Sequence, residues 1–147
     1  MPRHLIPQLA ALTLAGLFAL PAPAATIDVY VYSFDFSVNP QGQPVVDAVI
    51  TAGDTVRWVW QEGNHTTTAV AGIPEQWDAP ISSGSPTFSH TFTNLGTWHY
   101  YCIPHGFDNG DQTAGGMAGT VTVLPPGPGA CCPVSYTHLT LPTICSV

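Results

Sequence analysis

Cys102-Ile103-Pro104-His105 sets a thiol and an imidazole two residues apart, just after a β-prone run, and that spacing lets both side chains point at one ion. Pro104 narrows the conformations open to the loop, so part of the ordering cost is met before any metal arrives. Further along, Gly115-Gly116-Met117-Ala118-Gly119 places a thioether among small residues, where backbone can pack close to a site. His65 stands at a tip between two β-prone runs and is the natural source of a second imidazole. Cys102 is alone in the body of the chain, since Cys131, Cys132 and Cys145 all fall in the last seventeen residues. In an oxidising compartment such a thiol must pair with a distant cysteine or bind a metal. One thiolate, two imidazoles and a weak thioether are the donor set of an electron-transfer copper site, acceptable to both Cu(I) and Cu(II).

Those residues need a rigid frame, and the sequence between Thr26 and Val123 reads as all-β. Ile27 to Tyr32 and Phe34-Asp35-Phe36 alternate with period two, and Asn39-Pro40-Gln41-Gly42 supplies a turn. Val45 to Ile50 is a further apolar run. Thr55 to Trp60 puts Val56, Trp58 and Trp60 on one face, against Thr55 and Arg57 on the other. Thr66 to Val70, Thr87 to Phe92, Thr97 to Cys102 and Gly119 to Val123 complete seven to eight short strands. The Pro-, Gly- and Ser-rich stretch 72–86 is expected to hold little regular structure beyond what Trp77 and Ile81 anchor. This count suits a sandwich of two packed sheets. In the run before the thiol, Trp98, Tyr100 and Cys102 share a face, so Cys102 lies at the end of the core.

The flanks are set aside from the fold. Residues 1–24 carry Arg3 and His4, an apolar run from Leu9 to Leu20 and a small-x-small close at Ala22 and Ala24, the pattern of a cleaved export signal. The frame is therefore a single domain over residues 25–124 of an exported protein, periplasmic or extracellular, with no span in its mature form. Residues 125–129 form a Pro/Gly linker. The tail 130–147 is too short for a core of its own, and its end resembles a translated sequencing-adapter sequence, so a truncated gene model is expected there.

The full chain carries a net charge of −7; without residues 1–24, nine acids face the single base Arg57, for −8. A surface without lysine repels phosphate backbones, which argues against nucleic acid as a partner. Acidity of this degree serves solubility and leaves room for a basic docking partner.

Four segments together resemble the plastocyanin and pseudoazurin group of the cupredoxins: Gly53 to Trp58, Asn64-His65-Thr66, Phe92 through Gly96 to His105, and Gly116 to Val121. The resemblance covers most of residues 26–123 and implies a cupredoxin-like Greek-key β-sandwich around one type 1 copper ion. By it, His65, Cys102 and His105 are the strong equatorial ligands and Met117 the long axial one. Asn64 resembles the residue that ties the first ligand loop to the cysteine loop by hydrogen bonds. One departure stands out: eleven residues separate His105 from Met117, where such proteins have a handful. The insertion, Gly106 to Gly115, is expected to loop out into solvent, leaving Met117 free to return.

Plainer roles fit the other candidates. His90 alternates with Phe88 and Phe92 as a packed histidine, His99 faces away from Cys102, and His138 lies in the tail. Trp58, Trp60, Trp98 and Tyr100 are core. Asp108 and Asp111 fall short of the six to eight oxygen ligands of calcium. The leading function is a monomeric electron carrier with His105 as the exit toward redox partner proteins, and no catalysis of its own. A copper delivery or storage module is the alternative. The chain has no His-x-His pair, which separates it from multicopper oxidases, and His105 is better placed for a shared metal than as the base of a thiol hydrolase.

Overall fold

The computed structural model describes residues 23–127; all but the last two residues of the expected export signal, and the whole of the tail 130–147, lie outside them. Nine strands build two sheets. The first runs in the order β2 (Asp35–Ser37), β1 (Thr26–Tyr32), β4 (Thr55–Trp60), β7 (Thr87–Thr91); the second in the order β3 (Ala48–Thr51), β9 (Ala114–Leu124), β8 (Gly96–Asp108), β5 (His65–Ala69), β6 (Asp78–Ile81). Most neighbours are antiparallel, but β1 runs parallel to β4 and β3 parallel to β9.

Alternation along each strand explains which face is buried. In β4, Val56 and Trp58 are fully enclosed while Arg57 points outward into a two-pronged ion pair with Asp28, at 2.7 and 2.8 Å. In β9, Met117, Gly119, Val121 and Val123 face in, and in β8 Tyr100 and Cys102 do. The two inner faces meet around Trp58, whose ring lies 5.4 Å from both Trp77 and Tyr100 and 5.8 Å from Phe88. Rings of this size dominate the hydrophobic stabilisation of a small core, and truncating Trp58 to alanine costs about 3–5 kcal/mol.

The structure revises three local readings. Phe34 is not a strand residue: it sits in the turn between β1 and β2 with φ at 68°, and it is 65% exposed. The 72–86 stretch is more ordered than its composition suggests, because β6 pairs with β5 and brings the count to nine. Its approach is fixed from both sides, by Trp77 donating from Nε1 to the buried Thr67 Oγ1 at 3.0 Å and by Glu75. The Glu75 carboxylate takes the amides of Thr93 and Asn94 and the side-chain amide of Asn94 at 2.7–2.8 Å, with His90 Nε2 3.0 Å away.

The third revision concerns the insertion. The residues after His105 do not loop out. They extend the sheet as a hairpin in which Gly106, Phe107 and Asp108 pair with Gly116, Gly115 and Ala114. The turn 109–113 closes with the Asn109 amide on the Thr113 carbonyl at 3.0 Å. An antiparallel ladder satisfies six residues of backbone that a solvated loop would have left to water, which is why the longer connection orders as strand.

Candidate metal centre

The end of the sandwich carries the convergence that the spacing of Cys102 and His105 implied. His65 opens β5 beside Ile81 of β6, and the alternation of β5 turns it inward, so that it is buried. Cys102 is fully buried at the end of the core face of β8. Between Tyr101, paired with Ala118, and Gly106, paired with Gly116, the register of β8 shifts, and the four residues Cys102 to His105 stand opposite Met117 alone. This wide bulge throws His105 back over Cys102.

Three donor atoms close a small triangle. His65 Nδ1 lies 3.2 Å from His105 Nδ1 and 3.5 Å from Cys102 Sγ, and Cys102 Sγ lies 3.3 Å from His105 Nδ1. His65, Cys102 and His105 are the group of residues among those described whose donor atoms gather closely enough to hold a metal ion. A point equidistant from the three atoms lies about 1.9 Å from each, close to the roughly 2.0–2.3 Å that imidazole and thiolate keep from a first-row ion such as zinc. Soft sulfur with two imidazoles fits copper. Met117, 2% exposed, faces inward from β9 opposite the bulge.

The surroundings suit neutral donors awaiting a cation. Burial, and then the nearby His105, push the His65 pKa down, which keeps a lone pair available. Burial pushes the Cys102 thiol up, against hydrogen bonds from the Thr66 and His105 amides, so the thiolate forms most readily when a metal displaces its proton. Gly63, at φ 76°, lies against the His65 ring: a Cβ there would come within 2.4 Å of Nε2.

Asn64 does not make the tie between the two ligand loops. It is exposed, and the bonds that join them come from Thr66, whose amide points at Cys102 Sγ from 3.4 Å and whose Oγ1 accepts the Ile103 amide at 2.9 Å. The physical reason is direction: Thr66 alternates outward between the buried His65 and Thr67, toward the neighbouring β8 chain, whereas Asn64 precedes the strand. Two further residues escaped the sequence reading. Glu62 Oε1 accepts the Ser33 amide at 3.0 Å and so pins the first turn of the chain beside the metal end. Phe34, in that turn, meets the His105 ring edge-on with centroids 5.2 Å apart. Neither contact leaves a mark on local periodicity, since each joins residues far apart in sequence.

Amicyanin of Paracoccus denitrificans is 36% identical over 64 residues, 42% of this chain and about half (49%) of that protein. Plastocyanin of Prochlorothrix hollandica is 30% identical over 114 residues, covering 73% of this chain and 79% of the plastocyanin. The chain belongs to the cupredoxins. A solved structure of a reduced amicyanin variant matches the fold of this cupredoxin with a TM-score of 0.50 and 26% identity, over 67% of this chain and 82% of that one. No family model matches. The cofactor of this cupredoxin is a single type 1 copper ion, and electron transfer is its function.

Proposed function

We propose that His65, Cys102, His105 and Met117 would hold the copper, and that the protein relays single electrons in an extracytoplasmic compartment. The observation that carries this reading is the triangle of Nδ1, Nδ1 and Sγ, closed to 3.2–3.5 Å by residues 37 to 40 positions apart and by the Cys-x-x-His bulge. When bound, copper supplies the one-electron couple. The chain does the rest: Thr66 donates to the sulfur, the core behind Cys102 excludes water, and a frame stitched on both sides of the site holds the donors where both oxidation states accept them.

His105 is the most exposed of the three, which makes its ring edge the exit for the electron. Phe34 meets its ring, and Ile103, Pro104 and Phe107, its near neighbours along β8, are exposed with it. Such an apolar rim suits close approach of a redox protein, and the acidic remainder of the surface favours one with a basic face. No helix of the described residues is long and apolar enough to cross a membrane, and the run from Leu9 to Leu20 supports export. A carrier that turns over no substrate is the reading these features support, with residues 25–124 as its working domain.

Absorption and paramagnetic-resonance spectra of the copper-loaded chain test the proposal together. An intense blue thiolate band that bleaches with ascorbate is expected. A colourless copper complex would refute the ligand set.

A further inference from the structure

The hairpin after His105 has no role in the proposed ligand set, yet it touches every segment that carries a ligand. It closes the Cys102–His105 bulge from the far side: Tyr101 pairs with Ala118 before the bulge and Gly106 with Gly116 after it, so Met117 is bracketed by ladder pairs on both flanks. The closure depends on bare backbone. A Cβ on Gly106 would fall 2.6 Å from the Met117 carbonyl oxygen. One on Gly116, at φ 73°, would fall 2.7 Å from the His105 carbonyl oxygen and 2.8 Å from Gly106 Cα. Only glycine permits that approach and that backbone conformation together.

The hairpin is also fastened to the His65 arm. Asp108 accepts the Ala71 amide through Oδ2 and the Gly110 amide through Oδ1, each at 2.7 Å, and Ala71 follows directly on the run that β5 and Val70 form. Those bonds hold the Asp108 carboxyl below its ordinary range. The segments bearing His65, Cys102 with His105, and Met117 are therefore linked by protein contacts alone.

We infer that the Gly106–Gly116 hairpin is a clasp that closes the ligand bulge before copper binds, with Gly116 and Asp108 as positioning residues for Met117. The inference rests on the ligand set proposed above, but its test reads the two apart. A clasp of this kind lowers the ordering cost of metal capture and resists loosening of the axial side.

Amide hydrogen exchange of the whole chain, with and without copper, is the experiment. In the copper-free protein the Asn109 amide and those of the hairpin arms should exchange at least about a hundredfold more slowly than in an unstructured peptide, with copper adding little. Asp108→Ala should speed hairpin exchange by about tenfold, quicken copper loss to a chelator and alter the rhombicity of the paramagnetic spectrum as Met117 loosens. Gly116→Ala should alter the rhombicity of the paramagnetic spectrum; because it could fail to fold, Asp108, only partly buried, carries the decision. Peptide-like exchange in the copper-free chain, with protection only after loading, would overturn the clasp, as would an Asp108→Ala protein identical to the parent in exchange and copper loss. Protected hairpin amides in a chain that forms no coloured copper complex would refute the ligand set alone and uphold the clasp.

Discussion

The amide of Thr66 points at Cys102 Sγ from 3.4 Å while its hydroxyl accepts the next amide in that chain, that of Ile103, at 2.9 Å. One residue thus fixes both the sulfur and the start of the bulge that returns His105. Thr66→Val keeps the branched shape and the amide but removes the acceptor. It should retain the blue band and lower stability by about 1 kcal/mol, because the Ile103 amide can turn partly to water. Urea unfolding of the copper-free variant measures this, and a loss of colour would place Thr66 closer to the metal than we do.

The ligand roles separate by substitution. Cys102→Ser should abolish the visible band, which needs the thiolate. Met117→Leu should keep the colour and raise the reduction potential by about 60 mV, equivalent to a tenfold preferential loss for the oxidised ion at one electron. Voltammetry decides it: an unmoved potential would show that the thioether of Met117 is not a ligand.

Glu75 ties the turn before β6 to the turn between β7 and β8, and its titration has a definite sign. Burial pushes its carboxyl up, but the amides of Asn94 and Thr93, His90 and the Asn94 side chain together outweigh burial and hold it at about 2. The folded pKa lies below the ordinary 4.5, so the contribution is whole above pH 4.5 and is lost as pH falls toward 2. Glu75→Gln should cost on the order of 2–3 kcal/mol near neutral pH. Urea unfolding of both proteins across the acid range should show that gap shrinking between pH 4.5 and 2; a gap of constant size would contradict the account.

Exit through His105 is testable without knowing the partner. Electron self-exchange between oxidised and reduced copies, followed by magnetic-resonance line broadening, requires two apolar rims to meet. Phe107→Asp should slow it by about tenfold and leave the visible spectrum unchanged, while added salt should speed the parent protein by screening its acidic surface. An unaffected rate would move the exit away from this rim.

Much of this architecture was legible in the chain. Alternation in Thr55–Trp60 and Thr97–Cys102 identified the core faces, and the thiol, imidazole and thioether announced their chemistry by type and spacing. What stayed hidden depends on partners remote in sequence. Pro80 and its neighbours become a strand because β5 offers an edge, which composition alone cannot reveal. Thr66 rather than Asn64 makes the tie because of where β8 lies, and Phe34 reaches His105 because Glu62 pins the turn that carries it. The insertion, expected to loop out whole, differs for a related reason: its Gly, Asp and Asn content suits the turn at 109–113 but says nothing of the ladder on either side.

That ladder changes how residue counts near such a site should be used. Each residue added to both arms between Gly106 and Gly116 moves the turn outward by roughly 3.4 Å and leaves the pairs nearest the metal untouched. A residue added to one arm alone shifts the register and turns side chains to the wrong face. Lengthening the His105 to Met117 interval in steps of two therefore preserves the approach of Met117, whereas a single insertion in an arm disturbs it.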